Sequence, residues 1–277
     1  MDDCKRLNIV NGVVTDLINI QDRGLQYGDG LFETIAINKG SPVFLELHIE
    51  RLISGLNRLQ FPVIDIENLK RSIVEYSKAF QQAILKLIVT RGPSDRGYAP
   101  PVKPTVSTII SITEHKFAES YSDYLVERLA ICETLLSENR QLSGIKHLNR
   151  LEQVLASHEC YINHYSDCVL LNPNGLIIES VSSNIFIWKN QKLFTPNLDL
   201  SGIKGVTREK IIELAKEMSI PIEIGPMTIN DLKTAEAIFL TNSVRPIQPV
   251  AKFQSVQLDQ TNWPVELYQE VMQYVYA

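Results

Sequence analysis

Hydrophobic and polar residues follow two different periods along the first half of the chain, which predicts a mixture of strands and helices. The Asn11-Gly12 turn between two short apolar runs is typical of a β-hairpin. Further short apolar runs predict strands at residues 31–38, 42–45, 83–90 and 106–113. Apolar residues at helical spacing predict helices over 47–60 and 66–80. Residues 91–104 are rich in glycine and proline, which predicts a long irregular loop of the kind that often serves function.

The second half of the chain mixes the same two periods without strict alternation of strands and helices. Strands are predicted at 126–132, 222–224 and 237–241, and hairpins over 167–180 and 185–194. Helices are predicted over 148–164, over 206–219 and from about 264 onward. This order favours an α+β (mixed α/β) fold in two lobes. We predict a small N-terminal domain at 1–113, an interdomain linker at 114–124 and a larger C-terminal domain at 125–277.

Composition and charge exclude several classes of protein. The chain has 277 residues, 44% of them hydrophobic and 21% charged, so it can bury a large core and is too apolar for wholesale disorder. Its net charge of −5, without a basic cluster, argues against a nucleic-acid partner. No apolar run approaches the roughly 18 residues of a membrane span, and no signal peptide is visible. We therefore expect a cytoplasmic protein without a membrane partner.

The chain has four cysteines, Cys4, Cys132, Cys160 and Cys168. They contain no CxxC pair and no other spacing typical of a metal site. We expect reduced thiols that act as small buried hydrophobic side chains, and no metal site.

Three polar residues could each carry chemistry. Lys146 is followed closely by histidine, asparagine and arginine, and a neighbouring cation or burial could lower its pKa enough for its amine to attack a carbonyl. Glu179 ends a predicted strand and precedes small hydroxyl residues, a pattern that also occurs in ordinary turns. Arg51 on the first predicted helix could bind a phosphate with two hydrogen bonds, or pair with a neighbouring glutamate.

Two further segments suit the binding of anions. Gly202 and Gly205 precede a predicted helix, where backbone N–H groups and the helix dipole favour negative charge, although a plain helix cap has the same sequence. Arg96 and Tyr98 lie in the long loop and suit a carboxylate, although loop charges are often only solvated. Taken with Lys146 and Glu179, these segments supply a Schiff-base lysine, a carboxylate for a ring nitrogen and a phosphate site. Pyridoxal 5′-phosphate requires this set of groups.

Three segments also carry a resemblance to a known family: Asp22–Thr34, Arg91–Tyr98 and, most specifically, Gly144–Ala156. From Asp22 to Val250 the chain resembles the fold-type IV pyridoxal-phosphate enzymes of the class-IV aminotransferase family. Within that family it is most similar to the 4-amino-4-deoxychorismate lyases. The resemblance implies a two-domain fold with a small N-terminal α/β domain and a larger C-terminal pseudo-barrel domain.

The resemblance implies a role for each residue that would bind the cofactor. Lys146 would bond to pyridoxal 5′-phosphate and act as the catalytic base, and Glu179 would pair with the pyridine nitrogen. The cofactor phosphate would be held by Arg51, Val206, Thr207 and Ser243.

The resemblance also implies how the substrate is bound. Arg96 and Tyr98 match a carboxylate trap of the D-amino acid aminotransferases, in which the partner subunit lends the loop; this implies a homodimer. Phe32 stands where those enzymes have the tyrosine that completes the trap, which weakens the case for D-amino acid transamination.

The activity that the resemblance implies is conversion of 4-amino-4-deoxychorismate to 4-aminobenzoate and pyruvate, a step toward folate. Two alternatives remain open. One is an aminotransferase acting on D- or branched-chain amino acids, which would share the first proton transfer. The other is a non-catalytic binding protein on the same fold, which the presence of Lys146, Glu179 and Arg51 argues against.

Overall fold

The computed structural model describes residues 5–95, 97–118, 120–259 and 264–276, which form two compact units. The first unit comprises the residues up to Phe117 together with Ile145–Asn149. The second comprises Ala118–Gly144 and the residues from Arg150 onward. The domain boundaries that we infer from the sequence stay a prediction. Within the described ranges, no helix combines the length and the apolar character needed to cross a membrane.

The first unit contains an antiparallel six-stranded sheet with helices beside it. Its strands are β1 (Arg6–Val10), β2 (Val13–Val14), β3 (Gly30–Asn38), β4 (Ser41–Pro42), β5 (Gln82–Thr90) and β6 (Ser107–Glu114), in the order β2-β1-β6-β5-β3-β4. Its helices are α1 (Arg23–Tyr27), α2 (Leu45–Arg58) and α3 (Ile66–Ser77). The strands and helices predicted for this half are confirmed, except that the predicted strand at 42–45 is nearly absent.

The amphipathic pattern of α2 explains how this unit closes its core. Ile49, Leu52 and Leu56 lie on one face of α2 and are buried, and the helix packs against β3. Phe44 has a φ of +53° and is the N-cap of α2. Because the chain leaves the extended conformation at this residue, β4 ends at Pro42 and the expected strand cannot continue.

The second unit contains two five-stranded sheets. One sheet has the order β16-β15-β7-β8-β9, from β7 (Leu129–Leu135), β8 (Asp167–Leu171), β9 (Ile177–Ser180), β15 (Lys252–Phe253) and β16 (Val256–Gln257). The other has the order β12-β11-β10-β13-β14, from β10 (Asn184–Lys189), β11 (Lys192–Pro196), β12 (Ile222–Gly225), β13 (Ala237–Thr241) and β14 (Gln248–Pro249). The helices are α4 (Leu151–Ile162), α5 (Val206–Glu217), α6 (Ile229–Lys233) and α7 (Val265–Tyr276), with a short 3-10 helix at Tyr121–Tyr124.

A shared apolar core holds the two sheets of the second unit together. Leu129 and Val169 from one sheet pack in the same buried cluster as Ile185 and Leu240 from the other. Burying a side chain of this size stabilises a fold by about 1.5–3 kcal/mol. Because successive side chains of a strand point to opposite faces, every second residue of these strands faces this core.

The prediction of a helix starting at residue 148 is wrong by three residues, because α4 begins at Leu151. The preceding segment instead pairs with β3 in the first unit. Leu31 and His147 form an antiparallel bridge, and the Phe32 N–H donates to the Lys146 carbonyl at 2.9 Å. Because the backbone at residues 146–148 bonds to β3, it is not available for the first turn of α4.

Candidate active site

Lys146 is held at a defined place beside β3 of the first unit. Besides the bond from Phe32, the Leu148 N–H donates to the Gly30 carbonyl at 3.0 Å, so the backbone on both sides of the lysine is fixed. The Lys146 Nζ lies 4.3 Å from the centroid of the Phe32 ring. The lysine is half-buried, and its backbone is positioned by the neighbouring strand.

A buried network of charged side chains lies on β3 and α2 of the same unit. Glu33 is 1% exposed, and it accepts a hydrogen bond from Arg51 Nε at 2.9 Å and forms a close ion pair with the same guanidinium. His48 Nδ1 lies 2.6 Å from Glu33 Oε2. Arg51 thus pairs with a glutamate on the neighbouring strand, which fixes the position of its guanidinium.

The pKa values of this network follow from its burial and its charges. Burial alone raises the pKa of Glu33, but Arg51 and the hydrogen bonds from His48 and Arg51 outweigh it and lower the pKa to about 2. Burial lowers the pKa of His48, against the opposing effect of Glu33. Glu33 is therefore an anion and His48 neutral near pH 7. His48 Nε2 is buried without a hydrogen-bond partner within the described part of the chain.

Glu179 supplies a buried carboxylate in the second unit. It lies on β9 with 4% of its surface exposed, and its Oε2 accepts a hydrogen bond from the Ile203 N–H at 2.9 Å. Burial lowers the pKa of the nearby Arg150 guanidinium, and the charge of Glu179 opposes this shift. The carboxylate of Glu179 is thus held in a protected setting by a backbone donor.

The start of α5 has the features of an anion site. Its N-cap, Gly205, has no side-chain cap, so the first N–H groups of the helix lack a partner from their own chain segment. Val206 and Thr207 are buried, and Thr207 Oγ1 has no hydrogen-bond partner among the described residues. Asn184 fixes this helix start, since its Oδ1 accepts from the Gly205 N–H at 3.1 Å and its Nδ2 donates to the Ile203 carbonyl at 2.8 Å.

Ser243 lies in the turn after β13, which is tied to the same region of the second unit. The Oδ1 of Asn242 accepts from the Val244 and Arg245 N–H groups at 2.9 and 2.7 Å. Asn242 Nδ2 donates to Ser183 Oγ at 2.9 Å, next to Asn184 in sequence. Hydrogen bonds therefore connect the turn that holds Ser243 to the residues that fix the start of α5.

The loop that follows β5 is organised by Arg23. The Arg23 guanidinium donates to the carbonyls of Gly97, Tyr98 and Ala99 at 2.7–3.3 Å and also to Ser94 Oγ at 3.2 Å. Tyr98 is 85% exposed. The other predicted loop residue, Arg96, lies outside the described residues.

The structure thus brings the predicted residues together within each unit. The first unit places Phe32 and Lys146 against each other, with Arg51 in the adjacent network. The second unit links Glu179, the start of α5 and the turn at Ser243 through Ile203 and the Ser183-Asn184 pair.

Four residues for which the sequence predicted no role hold the candidate site residues or their segments in position: Arg23, Glu33, His48 and Asn184. Glu33 had a detectable signal, because a charge at an inward position of an apolar strand needs a buried partner. The sequence carried no comparable signal for Asn184, whose bonds join segments about 20 residues apart. Lys204, beside the start of α5, is half exposed, with its Nζ 3.8 Å from Asp199 Oδ1.

Comparison with known proteins identifies the family. The family model described as amino-transferase class IV matches residues 30–253. The chain belongs to the class IV aminotransferase family.

Among members of this family, an aminodeoxychorismate lyase of Vibrio harveyi is 33% identical over 244 residues, covering 87% of this chain and 89% of that protein. A D-alanine aminotransferase of Listeria monocytogenes is 25% identical over 245 residues, covering 87% and 84%. The crystal structure of 4-amino-4-deoxychorismate lyase from Pseudomonas aeruginosa superposes with a TM-score of 0.90 at 34% identity, covering 96% of this chain and 98% of that one. The predicted class IV fold is thereby confirmed.

Proposed function

We propose that this enzyme is a lyase that converts 4-amino-4-deoxychorismate to 4-aminobenzoate and pyruvate with the help of pyridoxal 5′-phosphate. The observation that carries the proposal is the similarity to lyases of this reaction over nearly the whole chain. The similarity includes the segment that places Lys146 against Phe32.

The residues present suit the cofactor. The uncapped start of α5, with the buried and unpartnered Thr207 hydroxyl, offers donors to a phosphate group. We assign the phosphate to Val206, Thr207, Ser243 and Arg51, and the pyridine nitrogen to the buried carboxylate of Glu179. When bound, the cofactor would supply an electron sink for the charge that forms as a proton leaves the substrate carbon.

Lys146 is our candidate for the catalytic residue. Its amine would hold the cofactor covalently, and the same amine would take the proton from the amine-bearing carbon of the substrate. The bond from the neighbouring ring carbon to the enolpyruvyl oxygen would then break, and the leaving group would take up a proton and become pyruvate while the ring becomes aromatic. A positioned base of this kind contributes about 10²–10⁴-fold to the rate.

Aminotransferase action on D- or branched-chain amino acids is the second candidate function. The similarity to a D-alanine aminotransferase favours this second function. Both reactions begin with removal of a proton from the amine-bearing carbon of the substrate. Phe32 argues against the D-amino acid branch, since its ring carries no hydroxyl for a substrate carboxylate. We assign substrate binding to Phe32, Arg96 and Tyr98.

We also propose that the enzyme is a homodimer in the cytoplasm. Helix α4 presents an exposed apolar face at helical spacing, made of residues that are 57–79% exposed: Leu151, Val154, Leu155, Tyr161 and Ile162. A contiguous apolar face of this kind marks a protein interface, and a second copy of the chain is the commonest occupant. In such a dimer the exposed Tyr98 could serve the neighbouring subunit.

A product assay tests the function. Purified protein is incubated with 4-amino-4-deoxychorismate, and 4-aminobenzoate and pyruvate are measured together without a keto-acid acceptor. We expect equal amounts of both products. Formation of keto acid from D-alanine or a branched-chain amino acid with 2-oxoglutarate, without 4-aminobenzoate, would contradict the lyase assignment and support the aminotransferase.

A further inference from the structure

Three cysteines that are distant in the sequence meet in the core of the second unit. Cys132 lies on β7, Cys168 on the adjacent strand β8 and Cys160 on α4. Their sulfur atoms all lie within 4.8 Å of one another, and all three residues are buried free thiols. The parallel pairing of β7 with β8 and the packing of α4 on both strands create this cluster. The sequence shows no metal-type spacing because the three ligands come from three separate elements.

The separation of the three sulfur atoms suits a single central atom. Bonds of about 2.3 Å from three thiolates to one centre place the sulfur atoms about 3.3–4.0 Å apart, and the shorter spacing belongs to a pyramidal centre such as trivalent arsenic. The observed upper limit of 4.8 Å therefore needs side-chain shifts of less than about 1 Å. Such shifts are within reach of small rotations about χ1 on fixed strands.

The surroundings decide which kind of centre fits. Among the described residues, no histidine, aspartate, glutamate or further cysteine joins the three sulfurs as a fourth ligand, whereas structural zinc sites have four. Leu136, Ile178 and Leu198 pack around the cluster, and the carboxylate of Asp167 acts on the Cys160 thiol through its charge. A net charge in such a place is costly. Three thiolates around a monovalent or divalent metal ion leave a negative charge, but three thiolates around a trivalent centre leave none.

We propose that Cys132, Cys160 and Cys168 form a buried three-thiol site that binds one trivalent, thiol-binding metalloid of the arsenite class. In the binding step, each thiol proton leaves with one hydroxide of arsenous acid as water, and three arsenic–sulfur bonds replace three arsenic–oxygen bonds. Arsenic stays trivalent, so no oxidant or reductant is required. The product is electrically neutral and joins β7, β8 and α4 through one atom.

The test uses the full chain and sodium arsenite. Native mass spectrometry and the ultraviolet absorption of arsenic–sulfur bonds are followed during titration. We expect the mass of the chain to rise by one arsenic atom minus the three thiol hydrogens, which leave in water. The single variants Cys132→Ala, Cys160→Ala and Cys168→Ala should each bind at least tenfold more weakly, because each leaves only two thiols. The matched control Cys4→Ala removes the remaining cysteine of the sequence and should bind like the wild type.

A second measurement on the wild type guards against variants that fail to fold. A ligand that binds the native state raises the melting temperature, whereas one that captures thiols of the unfolded chain lowers it. We expect arsenite to raise the melting temperature of the wild type. A lowered melting temperature would overturn the proposal. So would a loss of binding in Cys4→Ala, or full retention of affinity in any one of the three cluster variants.

Discussion

Two buried carboxylates, Glu33 and Glu179, are held by different kinds of donor. Glu33 is paired with the guanidinium of Arg51, while Glu179 accepts a hydrogen bond from a backbone N–H at Ile203. A full positive charge next to a buried carboxylate stabilises its anion strongly, which is the cause of the low pKa of Glu33. The two glutamates therefore serve different purposes: the first fixes an arginine, and we assign the second to the cofactor ring.

Replacing Lys146 tests the proposed catalytic amine. We expect Lys146→Ala to lose about 10²–10⁴-fold in turnover and to lose covalent attachment of the cofactor after borohydride reduction, measured by mass spectrometry. Lys86→Ala is the matched control, because the Lys86 Nζ lies 5.4 Å from the same Phe32 ring and the residue is exposed. Retained turnover in Lys146→Ala would show that another group is the base.

Replacing Glu33 tests the buried ion pair. Removing one partner of a buried pair costs about 3–5 kcal/mol of stability. We therefore expect Glu33→Gln to lower the free energy of unfolding by that amount, measured by denaturant titration. The matched control is Glu46→Gln, whose pair with Lys70 is exposed and screened by solvent, so its loss should change stability little. Equal effects of the two substitutions would contradict the role assigned to the network.

The pH dependence of stability follows from the same pKa shift. The pKa of Glu33 is about 2 in the folded chain and 4.5 in the reference state, so the unfolded chain binds a proton first as the pH falls. The contribution of Glu33 to stability is therefore complete above pH 4.5 and is lost as the pH falls toward about 2. Denaturant titrations of the wild type should show this loss, and Glu33→Gln should lack that component of the acid dependence.

Among the elements, the start of α5 is held by the side chain of a residue on another strand and not by a capping side chain of its own. Asn184 at the start of β10 binds the Gly205 N–H and the Ile203 carbonyl, and the next residue after Gly205 already belongs to the helix. A Cβ at Gly205 would lie 2.1 Å from Asn184 Oδ1, too close for any side chain. The φ of Gly205 is −65°, which suits any residue. Glycine is therefore required for the close approach of Asn184 and not for the backbone conformation.

Gly205→Ala tests the phosphate site at this helix start. The added methyl group should displace Asn184 and the first N–H groups of α5, and loss of a hydrogen bond to a charged group costs about 1.5–3 kcal/mol. We expect the affinity for pyridoxal 5′-phosphate to fall about 10–100-fold, measured by titration of apoenzyme. Gly225→Ala is the control, because the nearest atom to its Cβ would lie 3.8 Å away. An unchanged affinity in Gly205→Ala would place the phosphate elsewhere.

At the scale of the whole molecule, the exposed apolar face of α4 is the feature that a single chain does not explain. The opposite face of the helix, with Ala156 and Cys160, already packs in the core of the second unit. A helix that is apolar on two faces needs a second covering, which we assign to another copy of the chain.

Leu155→Glu tests this assembly. A charge on the α4 face should oppose burial of that face, so we expect the variant to elute as a monomer in size-exclusion chromatography with light scattering, with reduced turnover if loops are shared. Val63→Glu is the control, because Val63 is fully exposed elsewhere in the first unit and should leave the mass unchanged. A wild type that is monomeric at the concentrations of the assay would contradict the dimer.

The sequence by itself determined the element types, the class IV fold and the candidate residues Lys146 and Glu179, because hydrophobic period and local motifs are encoded in neighbouring residues. Only the tertiary structure decided the start of α4, the pairing of Arg51 with Glu33 and the meeting of three cysteines. Each of these depends on contacts between segments far apart in the chain, where one strand register or one helix packing brings the side chains together. Spacing along the sequence carries no record of such contacts.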